Sequence, residues 1–75
     1  MGVILKILAS AQTDEARGGI VNFELNEGGP AEPNGVVHIQ NRAWRIEMPT
    51  EEFLEFAVSC VEAGYRLRKD KKIEP

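Results

Sequence analysis

The sequence predicts an α+β domain: an antiparallel sheet of three to four strands in meander order, with one C-terminal helix packed on one face. Three observations predict it. Residues 19–26 and 36–48 alternate apolar and polar side chains, the period-two pattern of half-buried strands. After Pro49 the apolar residues recur at helical spacing instead. Between these stretches lie clusters of Gly, Pro and Asn that interrupt regular structure. With 75 residues, the chain has room for one small domain.

The first element, about residues 3–9, reads as a strand with Val3, Leu5 and Ile7 on one face and Ile4, Lys6 and Leu8 on the other. A helical period would align Ile4, Leu8 and Ala11, so periodicity alone leaves both forms open. Short length and β-branched residues favour the strand. Gln12 to Gly19 reads as a connection. In the second strand, residues 19–26, Val21, Phe23 and Leu25 form a buried face, and Asn22, Glu24 and Asn26 a wet one. Residues 27–35 hold three glycines and two prolines, and Pro33-Asn34-Gly35 suits a β-turn.

A hairpin follows, with strands at 36–40 and 43–48. A two-residue turn at Asn41-Arg42 would set Gln40 opposite Ala43, Ile39 opposite Trp44, His38 opposite Arg45 and Val37 opposite Ile46. That register gathers Val37, Ile39, Trp44, Ile46 and Met48 on a core face, and His38, Gln40, Arg45 and Glu47 on a polar one. Pro49 ends the strand, and Thr50 is suited to cap a helix whose first turn carries Glu51 and Glu52. The helix is expected over about 50–69, with an ion pair from Glu62 to Arg66 and a frayed tail over 70–75. Gly64 would permit close approach to the sheet. The central apolar stripe is Phe53, Ala57, Cys60, Val61, Gly64 and Leu67, flanked by Leu54, Val58 and Tyr65 on one side and by Phe56 and Ala63 on the other. An arc this wide exceeds what one sheet face covers.

Composition narrows the function classes. A chain of this size buries roughly 60% of its unfolded surface, so a lone monomer is marginal. Cys60 is the single cysteine and His38 the single histidine, which leaves no internal disulfide and no ordinary zinc site. Oligomerisation is the remaining remedy, and Phe56, Val58 and Tyr65 are the expected homodimer contacts. The apolar run at 3–11 is short and broken by Lys6, unlike a secretory signal, and position 6 is not the Ser or Thr of a myristoylation motif. No apolar run approaches the ~20 residues of a membrane span. A cytoplasmic protein with no membrane association is expected.

Two constellations carry chemistry. His38, Gln40, Arg45 and Glu47 share a rigid ribbon that could bind a partner or small ligand, or transfer a proton. Ordinary pairing of exposed strand residues accounts for the same set. The charge is uneven: before position 66 only Lys6, Arg17, Arg42 and Arg45 are basic, and the last ten residues are net positive. Arg66, Arg68, Lys69, Lys71 and Lys72 could therefore contact nucleic acid, although the acidic body opposes this and dipole compensation explains the tail equally well. Cys60 and Trp44 read as core residues. No catalytic motif, metal site or cofactor loop stands out; the paired glycines lack a strand–glycine–helix context.

From Val37 to Ala63, the residues Val37-His38-Ile39, Arg42, Arg45-Ile46-Glu47, Glu51-Glu52-Phe53, Phe56-Ala57 and Glu62-Ala63 resemble a β-hairpin–helix module of short uncharacterised bacterial proteins. The resemblance covers about a third of the chain and implies architecture, with no assigned activity. Those proteins tend to carry a second histidine where this chain has Gln40. The expectation is a small non-enzymatic homodimer that presents its polar hairpin face to a protein partner. The alternatives are a nucleic-acid accessory protein using the basic tail, and a ligand binder or enzyme using His38 and Arg45 at a dimer interface.

Overall fold

The structure is a computed structural model and describes residues 3–71. Four antiparallel strands, β1 (Ile4–Ala11), β2 (Val21–Asn26), β3 (Val36–Gln40) and β4 (Arg45–Pro49), pair in sequence order as a meander. One helix, α1 (Thr50–Lys71), follows directly. The architecture is the α+β arrangement expected from the alternation of period.

β1 is a strand, and it runs two residues further than expected, to Ala11. Its simple two-faced reading is incorrect. Pairing slips between Ile4 and Lys6 and again between Ile7 and Ala9, so Ile4, Ile7 and Ser10 come to face Asn26, Glu24 and Asn22. Two extra residues in the strand produce that three-residue repeat. The Ser10 hydroxyl donates to Asn22 Oδ1 at 2.7 Å on this side. Between β1 and β2, the expected connection contains a 3-10 turn (Glu15–Arg17), capped by the Asp14 carboxylate and closed by Gly18 at φ +112°.

The hairpin register is also corrected. Asn41 to Trp44 form a four-residue loop, so Gln40 faces Arg45, Ile39 faces Ile46, His38 faces Glu47 and Val37 faces Met48. The Asn41 side chain decides this. Its Oδ1 accepts from the Ala43 and Trp44 backbone N–H groups at 2.8 and 3.1 Å, while the Asn41 backbone N–H donates to the Trp44 carbonyl at 3.1 Å. Asn41 thus closes a wider loop by an Asx-type turn instead of serving as half of a tight one. The slip is of two residues, so every side chain keeps its face and only partners change.

The core is small: Val21, Val37, Ile39 and Met48 are buried, with Phe23 and Phe53 packed against them. The two phenyl rings meet tilted at 58°, centroids 6.2 Å apart. Phe53 is the one large helix side chain in that cluster. Cys60, expected in the core, is exposed, as are Leu54, Phe56, Val61 and Leu67. Trp44 is likewise half-exposed, because the widened loop carries it beyond the paired strands. Lengths explain the mismatch. A 22-residue helix runs about 33 Å, whereas a five-residue strand covers about 17 Å. Only the first turns of α1 lie over the sheet, against β3 and β4, and the rest projects. The radius of gyration, 14.2 Å, accordingly exceeds the roughly 11 Å of a compact chain this long.

Gly64 lies on the projecting part; a Cβ there would meet nothing within 4 Å, so close approach to the sheet is not its role. The helix continues through Asp70 and Lys71, where the tail was expected to fray, and the Glu62–Arg66 ion pair forms at 3.3 Å. Thr50 opens the helix without capping it by its side chain: its hydroxyl donates to the Asn34 carbonyl at 3.0 Å. The Asn34 amide in turn donates to Glu51, which, with the Glu51 backbone N–H, holds that carboxyl below its ordinary value. The 27–35 loop is therefore tied to the helix start.

Candidate functional site

The nine-residue connection between β2 and β3 builds the site. It is longer than a hairpin needs, and it folds back along the polar face of the sheet. Its shape is held by backbone hydrogen bonds from Glu32 to the Gly29 carbonyl and from Gly35 to the Glu32 carbonyl, the second closing the expected Pro33-Asn34 turn. Gly28 packs so tightly that a Cβ would sit 2.2 Å from the Glu32 carbonyl oxygen. Gly35 adopts φ +92° and is buried beside the Asn26 carbonyl, a conformation that favours glycine.

Loop and sheet together border a half-open cavity of about 400 Å³. All four polar hairpin residues singled out from the sequence line it: His38, Gln40, Arg45 and Glu47. Their pairing differs from expectation. His38 Nε2 lies 3.6 Å from one Glu47 oxygen, and the Arg45 guanidinium lies 2.8 Å from the other. Glu47 therefore bridges His38 and Arg45, and the expected His38–Arg45 neighbourhood is replaced by His38–Glu47 and Gln40–Arg45 because of the two-residue slip.

The residues missed by sequence reasoning are Glu24 and Asn26. Expected on a wet face, they are 5% and 2% exposed. Alternation placed them opposite the core correctly, but a loop covers that face. Glu24 Oε1 accepts from the Gln40 amide at 2.8 Å, and Asn26 donates from Nδ2 to the Glu24 carbonyl at 3.3 Å. Glu27 and Glu32 complete an acidic wall. The length of the 27–35 segment was the available signal, since nine residues with fixed turns must lie against some surface.

The opposite face carries a second concavity of about 350 Å³, almost wholly apolar, where α1 diverges from the sheet. Phe23, Ile39, Trp44, Ile46, Phe53 and Phe56 line it. The residues expected at a dimer contact lie exposed beside it or along the helix: Phe56 at 41%, Val58 at 65% and Tyr65 at 58%. Of the basic set, Arg66, Arg68, Lys69 and Lys71 lie along the exposed last turns, and Lys72 falls outside the described residues. Arg66 is engaged by Glu62, and the Lys69 ammonium sits 5.9 Å from the Tyr65 ring centroid. No helix among the described residues is long and apolar enough to cross a membrane. No family model matches the chain, and no match to it was found among curated proteins or solved structures.

Proposed function

We propose that the chain is a small homodimeric protein-interaction module, not an enzyme, whose assembly uses the apolar side of the sheet and helix and leaves the His38/Gln40/Arg45/Glu47 face for a partner. The carrying observation is the exposure of α1. Leu54, Val61 and Leu67 are 60%, 75% and 57% exposed, next to an apolar groove floored by Ile39 and Trp44. Leu54, Val58, Val61 and Tyr65 recur at helical spacing on one flank of α1, and exposed apolar surface grouped in this way marks an interaction site. A second copy is the occupant because each chain offers both parts, a projecting apolar helix and an unfilled apolar groove, as a two-fold contact requires. Phe56, Val58 and Tyr65 then lie between the subunits. The single exposed thiol, Cys60, suits a reducing compartment such as a bacterial cytoplasm.

Sedimentation equilibrium at micromolar concentration tests the assembly. The expected mass is twice the chain's 8.3 kDa. A single-chain mass at that concentration overturns the reading.

A further inference from the structure

We infer that the polar cavity is a receptor for an organic cation, an alkylammonium or guanidinium group, held by Glu24. The inference rests on the reading of this face as the recognition surface and assigns the charge and chemistry of what it recognises. Glu24 is 5% exposed, takes part in no ion pair among the described residues, and has the neutral Gln40 amide as its one side-chain hydrogen-bond partner there. Among the described residues its second oxygen accepts no hydrogen bond, and no buried polar side-chain atom is sealed off without a partner, so that oxygen opens onto the cavity Glu24 lines.

With the rest of the carboxylate buried, that one open oxygen is where a cation or further donors meet its charge. No basic side chain among the described residues does so. Arg45 is committed to Glu47 at 2.8 Å, and His38 leans on the same carboxylate at 3.6 Å. Glu27 and Glu32 on the loop wall add negative charge, and neither is in an ion pair among the described residues. The uncompensated charge of the cavity is thus negative although His38 and Arg45 line it, which disfavours an anionic ligand. No three potential metal ligands converge among the described residues, so the geometry suits a diffuse organic cation over a metal ion. At about 400 Å³ the space accommodates a small molecule or one long side chain.

The test is amide chemical-shift titration of the full chain with agmatine, with a capped Lys/Arg tetrapeptide, and with inorganic phosphate. The expected result is that both cationic probes shift resonances at residues 24, 38 and 40, and that Glu24→Gln weakens them by about 30-fold or more. Glu32→Gln, a near-isosteric change at a half-buried position of the loop wall, should weaken them by about two- to fivefold. Tighter binding of the peptide identifies the source as a partner's side chain, and tighter binding of agmatine a free amine. Cation binding unaffected by both variants overturns the proposal. Shifts from phosphate alone overturn the cation while retaining the face, and no shifts from any probe in a chain of dimeric mass overturn the cavity as a receptor while retaining the dimer.

Discussion

The two faces of the sheet invert the usual relation between polarity and exposure. On the polar face, Glu24 and Asn26 are buried under the chain's own loop. On the apolar face, Trp44 and Ile46 are 42% and 45% exposed: the widened loop carries Trp44 beyond the paired strands, and the helix leaves Ile46 uncovered. The polar side is closed by turns with fixed geometry, Gly28, Pro33 and Gly35, which need no partner. The apolar side is closed by contact area, and one short chain does not supply enough of it. Covalent geometry finishes one face; the other awaits another molecule, which the proposed dimer provides.

The contrast can be sharpened by substitution. Ile39→Ala removes part of the small core on the apolar side and should destabilise the chain by about 2–5 kcal/mol in urea unfolding. Next in size, Phe56→Glu should raise the dimer dissociation constant by about 30-fold or more, as loss of a central aromatic anchor does. Glu55→Ala, one residue away, should change it less than about twofold, and equal effects from the two would separate the helix from the interface. Gly35→Ala should cost about 1–3 kcal/mol, since alanine at φ +92° is strained and its Cβ would crowd the Asn26 carbonyl. Faster hydrogen exchange should then appear in the loop and at the Thr50 amide bonded to Gly35, and not in the later turns of α1.

The smallest effect concerns acid. The Asn34 amide lowers the Glu51 carboxyl, so the contact adds stability above that group's unfolded value, and the gain is lost as pH falls through the lower folded one. Glu51 is fully exposed, and the expected signature is a slight, acid-side difference between the parent and Asn34→Ala in melting temperature against pH.

Much of the fold was legible because period is a strong signal. The switch from alternation to helical spacing after Pro49, and the separation of Val37/Ile39/Met48 from His38/Gln40/Glu47, survive intact. Side-chain period is insensitive to a slip of two, so the faces could be read while the partners could not. The turn depended on which hydrogen bonds Asn41 makes, which residue type alone leaves open. Burial of Glu24 was illegible for a different reason: alternation reports distance from the core, not whether a loop covers the far side. In α1 the apolar arc was visible, and its excess signalled the uncovered surface. Cys60 lies outside the core because α1 is about twice as long as the strands beneath it, a mismatch that helical spacing alone does not reveal.

Trp44 offers the most direct measurement. It is the chain's one tryptophan and lies half-exposed on the apolar groove. In a sample mixed from isotopically labelled and unlabelled chains, nuclear Overhauser contacts between copies isolate the interface. The account predicts cross-copy contacts between the Trp44 indole and the Val58 or Val61 methyls of α1, abolished by Phe56→Glu. Contacts confined to β1, or none at a concentration where the mass is dimeric, would contradict it.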